Sequence, residues 1–136
     1  MLYETIEHKK AELQLMNALG QAYDYEMIGL PHKYSLDCLA MRKDAAKCLF
    51  EFKCRTVAST DYDTALVNLH KVIAAQNLSR ATGLKAYLVV QWTDKVGFVD
   101  FNSDKRIGLS KRRDRNDPAD MFAYYPVSGF RTLNLF

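Results

Sequence analysis

Two hydrophobic rhythms alternate along this chain. Over residues 2–19, Leu2, Ile6, Leu13 and Met16 share one stripe at about 100° per residue, the pattern of an amphipathic helix, and Gly20 is a stop signal. Residues 22–28 (AYDYEMI) alternate loosely and are rich in aromatics, which predicts a first strand, interrupted by Gly29 and Pro31. A second strand is expected over 34–41 (YSLDCLAM) and a third over 47–54 (KCLFEFKC), with the polar link RKDAA as a hairpin connection. After a loop at 55–63, Asp63 is placed to cap a helix over 64–82. Apolar residues surround most of that helix, so it should be buried, and Gly83 ends it. Residues 85–92 and 96–101 predict two strands joined by the tight turn TDK, 102–119 a long charged loop, and 121–126 a last strand.

Two strands flanking a helix imply a parallel crossover, so the expected class is α/β, with a mixed sheet of about five strands flanked by helices. The 136 residues fit a single domain over 1–136, and no internal repeat divides them. A hydrophobic content of 49% argues against general disorder. No apolar run reaches the length of a membrane span, and MLYETIEHKK lacks the apolar stretch of a secretory signal. A cytoplasmic protein is expected, in the host cytoplasm if the source is viral. The three cysteines read as small buried hydrophobes, and the scattered histidines with no CxxC pair make zinc a poor expectation.

The third strand carries the candidate chemistry. Its alternation puts Cys48, Phe50, Phe52 and Cys54 on one face and Leu49, Glu51 and Lys53 on the other. Asp37, in the preceding strand, is a costly residue to bury without a partner. If the hairpin register brings Asp37 and Glu51 together, their repulsion invites a divalent cation. Magnesium suits such hard oxygen ligands, and it can polarise a phosphoryl oxygen and acidify a bound water. The Lys53 ammonium could orient that water or offset charge on a phosphate. On the first helix Glu12 falls at the edge of the apolar stripe and Glu7 nearly opposite, which makes Glu12 the candidate for a further ligand. The competing reading is an ordinary sheet with a solvated Glu51–Lys53 pair. Lys71 either faces the site or extends to solvent. His70 and Trp92 read as structural. The net charge of +3 does not by itself demand a polyanion, but Lys105, Arg106, Lys111, Arg112, Arg113 and Arg115 cluster, and Arg55 directly follows the third strand.

Asp37 followed by Glu51-Phe52-Lys53, in the order helix, hairpin strands, helix, strand, resembles the PD-(D/E)XK nuclease superfamily. Within it the chain is most similar to the small Holliday-junction resolvases and related phage-type nucleases. The resemblance implies a restriction-endonuclease-like core and a metal-dependent endodeoxyribonuclease that hydrolyses phosphodiester bonds. It implies that Asp37, Glu51 and the Phe52 backbone carbonyl hold magnesium, with manganese as substitute, that Glu12 contributes directly or through water, and that Lys53 is the catalytic lysine. Leu36 stands where the family often has proline or glycine. Against this background Arg55, Lys71 and the basic cluster would track phosphates, giving affinity without sequence reading. Branched DNA needs two symmetric cuts, hence a homodimer, for which the aromatic segment MFAYYPVSGFRTLNLF is a candidate surface. Two other readings stay open: a small nuclease acting on flapped, nicked or linear DNA, and a non-catalytic member of the fold that binds nucleic acid or protein.

Overall fold

A computed structural model describes residues 6–110 and 120–136. In chain order the elements are α1 (Ile6–Tyr23), β1 (Glu26–Gly29), a 3-10 turn at His32–Tyr34, β2 (Cys38–Arg42), β3 (Ala45–Cys54), β4 (Thr64–Asn68) and α2 (Leu69–Thr82). Then come β5 (Lys85–Gln91), β6 (Val96–Asp100), β7 (Arg106–Ser110), β8 (Asp120–Pro126), a 3-10 turn at Val127–Gly129, and β9 (Arg131–Leu133). Six strands form one mixed sheet in the order β1-β2-β3-β5-β6-β9, and β4-β8-β7 form a second sheet. The β3–β5 pair is parallel, as the expected crossover requires, and the other pairs are antiparallel.

The large sheet is the middle of three layers. On one face Leu15 and Leu19 of α1 pack against Cys38, Ala40, Cys48, Phe50, Phe52 and Val89. On the other, Leu49, Leu88 and Val90 meet Val72 and Ala75 of α2 together with Ala65, Val67, Ala123 and Tyr125 of the small sheet. The central strands β3 and β5 are thus covered on both sides, which explains their nearly continuous apolar runs. Leu36, standing in the family's proline or glycine position, is a buried member of the α2-side core.

The element boundaries differ from the sequence expectations in several places. Helix α1 runs through Gly20 and ends three residues later, at Tyr23. Gly20 is a packing residue, since an added Cβ would lie 2.8 Å from Met27 Cγ. The stop is Asp24, left-handed at φ 56, with the Tyr25 N–H donating to the Gly20 carbonyl at 2.8 Å. The expected stripe is also rotated: Ile6 is 75% and Leu13 54% exposed, while Leu15, Leu19 and Gly20 are buried. The expected first strand shortens to β1. The second begins only at Cys38, so Asp37 lies just before it. The expected helix over 64–82 is two elements. Ala65 and Val67 alternate inward as strand β4, and the helix starts at Leu69, capped by Asn68 and not by Asp63. The expected loop over 102–119 contains strand β7, and residues 111–119 lie outside the described residues. In the carboxyl-terminal segment, Tyr125, Phe130 and Leu133 are buried in this chain's own core, which removes them as a subunit surface. Cys38, Cys48 and Cys54 are free thiols, the first two buried. Trp92 is buried edge-to-face against Phe130. Among the described residues no helix is long and apolar enough to cross a membrane.

The β2–β3 hairpin closes on Lys43 and Asp44, both left-handed at φ 52 and φ 63, with Arg42 paired to Ala45. That geometry belongs to a two-residue turn that favours Asn-Gly. The double substitution Lys43→Asn, Asp44→Gly is expected to stabilise the protein by about 1 kcal/mol and raise its melting temperature by roughly 3–6 °C. A thermal melt with no rise would count against the turn assignment.

Candidate active site

Strand β3 delivers two of the site residues because its alternation is strict. With Phe50 and Phe52 turned to α1, Glu51 and Lys53 face α2. Asp37 arrives from the segment that leads into β2, at the point where that strand has not yet begun. Its backbone N–H donates to the Phe50 carbonyl at 3.1 Å, and its carboxylate Oδ2 accepts the Phe52 N–H at 2.7 Å. The side chain thus stands in for a strand partner. A residue in a strand presents its N–H and C=O to the same side. The Phe52 carbonyl therefore also faces the Asp37 side, beyond the end of β2.

Glu51 is 1% exposed. Its Oε2 lies 3.2 Å from Lys53 Nζ and 3.5 Å from Lys71 Nζ. Its Oε1 is buried with no hydrogen-bond partner. Burial first, and the neighbouring Asp37 second, raise the Glu51 carboxyl from its ordinary 4.5 to about 7, against the lowering pull of Lys53 and Lys71. A buried carboxylate with one oxygen held by two ammonium groups and the other unpartnered, next to a second carboxylate, fits a divalent cation. The donor set is hard oxygen, the repulsion is present, and one lone-pair site is left over.

The structure brings Asp37, Glu51, Lys53 and Lys71 together. Glu12 faces the sheet but from the α1 side, where its charge helps burial raise the Cys54 thiol to about 11. Among the described residues no three His, Cys, Asp or Glu side chains gather as a metal-holding group. Arg55 donates to the Leu66 carbonyl at 2.8 Å. Lys105 donates to the carbonyls of Phe101 and Ser103 at 2.9 and 3.2 Å. Arg106 is exposed, with its guanidinium 3.9 Å from the centre of the Tyr124 ring. Lys111, Arg112, Arg113 and Arg115 lie outside the described residues. The residues flanking them are paired, Ser110 with Asp120, and Asp120 accepts from Asn68 at the start of α2. His70 next to it is lowered by burial and by Lys71, with a smaller effect of Lys53, while Asp120 opposes the shift.

The sequence reading missed Ser35. Its carbonyl accepts from Lys71 Nζ at 2.9 Å, and it is left-handed at φ 60. A signal was present: α2 has no acidic residue in its first turn but carries Lys71 there, where a cation opposes the helix dipole.

A mixed sheet with α1 on one face and α2 on the other, and with an acid, an acid and a lysine at the adjoining ends of β2 and β3, relates the chain to the PD-(D/E)XK nucleases. A family model described as "Phage putative PDDEXK endonuclease" matches residues 1–133, and the chain belongs to that family. Its fold is similar to that of Hjc, a Holliday junction resolvase from the archaeal hyperthermophile Archaeoglobus fulgidus, with a TM-score of 0.59 over 86% of this chain and 82% of that one. The two are 15% identical, so the likeness concerns the fold. No curated protein matches the sequence.

Glu51 couples stability to pH when no metal is bound. Between about pH 4.5 and pH 7 the folded protein holds a proton that the unfolded chain has released. The stability contributed by this group is fully present below about 4.5 and is lost as pH rises through about 7, on the order of 3 kcal/mol. Glu51→Gln mimics the protonated form. Thermal melts in chelator should show the variant gaining on the wild type from about pH 5 to pH 8. A melting-temperature difference that stays constant across that range would show that Glu51 is not shifted.

Proposed function

We propose that this protein is a magnesium-dependent DNA endonuclease that acts on branched DNA as a homodimer. The observation that carries the reading is the buried Glu51 carboxylate, one oxygen unpartnered, beside Asp37 and Lys53. Asp37, Glu51 and the Phe52 carbonyl would hold the metal, and manganese would substitute. Glu12, approaching β3 from the α1 side, would enter only through a bridging water. The bound ion supplies Lewis-acid polarisation of the scissile phosphate and a more acidic water.

The chain's own residues do the rest. Asp37 and Glu51 place negative charge where the cation must sit. Lys53 carries an ammonium on the same face of β3, able to reach a phosphoryl oxygen as charge develops there. Arg106, which remains exposed, and the basic residues between Ser110 and Asp120 would follow the phosphate backbone. Preference for a branched substrate is supported by the fold shared with an archaeal junction resolvase. Action on DNA within a phage endonuclease family supports a location in the host cytoplasm.

The test uses labelled four-way junction, duplex and single-stranded DNA, each with magnesium and with chelator. Magnesium-dependent cutting of the junction in preference to the duplex is expected. Asp37→Asn should slow cutting on the order of 100-fold or more while binding stays within about twofold. Equal cutting of junction and duplex would remove the branched-DNA preference in favour of flapped, nicked or linear substrates. Binding without cutting in any metal would make the protein a non-catalytic member of the fold.

A further inference from the structure

Lys71 belongs to a face that was expected to meet DNA phosphates, yet its ammonium is committed within the protein. We propose that Lys71 is a positioning residue: the resident counter-charge of Glu51, which pins the segment carrying Asp37 and leaves Lys53 free for the reaction. The proposal rests on the nuclease reading above and adds a division of labour between the two lysines.

Three features support it. First, Lys71 sits in the first turn of α2, the wrong end of the helix dipole for a cation, and no acidic residue of that turn offsets it. Glu51 and the Ser35 carbonyl supply the compensation from outside the helix. Second, a single ammonium joins two separate parts of the site. It lies 3.5 Å from Glu51 Oε2 on β3 and donates at 2.9 Å to Ser35, two residues before Asp37. Ser35 is left-handed, which turns the chain sharply into Leu36 and Asp37. The tether therefore acts on the residue pair that sets the separation of the two carboxylates. Third, both lysines hold the same oxygen, Oε2, and Oε1 is unpartnered. A carboxylate gripped at one oxygen presents the other in a fixed direction. If Lys53 turns to a phosphate, Lys71 still covers the buried charge. Without Lys71, Lys53 would be held on Glu51 by the cost of uncovering that charge.

The Phe52 amide reports directly on Asp37, because Asp37 Oδ2 is its acceptor at 2.7 Å. Lys71→Met keeps the aliphatic stem and removes the ammonium. Amide exchange by NMR in chelator is expected to show the Asp37 and Phe52 amides exchanging about tenfold faster or more, with Val72 and Ala75 of α2 unchanged. The cleavage rate at saturating magnesium and DNA should fall about tenfold or more, while DNA affinity in chelator stays within about twofold and its salt dependence is unchanged. Lys71→Arg should recover the rate to within about threefold of wild type. Lys71→Gln, which retains a donor for Ser35 without charge, should keep the amide protection and still lose rate. The proposal is overturned if Lys71→Met weakens DNA binding about fivefold or more and lowers the salt slope by about 1 with the rate preserved, the signature of a phosphate contact. It is equally overturned if exchange, rate and affinity all match wild type. The exchange measurement needs no cleavage. A wild-type protein that cuts no DNA would overturn the nuclease reading while exchange still decides the role of Lys71.

Discussion

A carboxylate at position 51 sits in a strand that the fold covers on both faces, and much of the surrounding architecture follows from keeping that charge tolerable. On one side of β3, Phe50 and Phe52 close against α1 in an apolar cluster. On the other side Glu51 follows Leu49 into the layer that α2 occupies. Two ammonium groups converge on one of its oxygens, one from β3 itself and one from the start of α2. Breaking such a buried arrangement by removing a cation leaves a charge in low dielectric, a loss of several kcal/mol per ion in the general case. The start of α2 is therefore constrained by the site as well as by the core. Asn68 both ends β4 and caps the helix, which brings Lys71 in the next turn onto Glu51.

The large sheet also partitions the candidate residues. Side chains two apart on β3 share a face, so a residue's parity decides which helix it can meet. Glu51 and Lys53 meet α2; Cys54 meets α1, and Glu12 with it. Burial of the thiols follows the same division. Cys38 is pushed up to about 12 by burial, with Asp37 and Glu51 adding to it, so it stays a neutral thiol beside the site.

The parts of this fold that sequence alone revealed are those where one period operates without competition. β3 alternates cleanly over Cys48–Cys54, the β5–β6 hairpin is bounded by a tight turn, and Gly83 ends α2 in the left-handed conformation. The convergence of Asp37 and Glu51 could be reasoned from the hairpin, because antiparallel neighbours are brought together by register. The failures have physical causes of the same kind. On α1, Leu13, Leu15, Met16 and Leu19 spread apolar residues over more than one side, so the wheel does not choose a face; packing against Cys48 and Phe50 chooses Leu15 and Leu19. At β4 the strand Thr64–Asn68 runs into the helix with no glycine or proline between, and the two periods merge into what reads as one apolar helix. β7 is an edge strand, and Ile107 and Leu109 are exposed, so neither its core signal nor its pattern stands out from the charges around it.

Basic residues show most clearly why clustering in sequence is a weak guide to role. Lys105 and Arg106 are adjacent in the same charged run, yet the first donates to two carbonyls in its own turn while the second stacks on the half-buried Tyr124 ring. Arg55, next to the candidate motif, is tied to the Leu66 carbonyl of the second sheet. Lys71, which lies in no cluster at all, makes its contacts with a buried carboxylate and with the segment that carries the second acid. A cation answered by neutral carbonyls keeps its full charge and can still attract a phosphate. A cation answered by a buried carboxylate has its field largely cancelled at a distance, and its effect is confined to the groups it touches. On the nuclease reading proposed above, the charge that would steer DNA toward this protein comes from residues that are not needed to hold Glu51, and the lysines that organise the site would add little to that attraction.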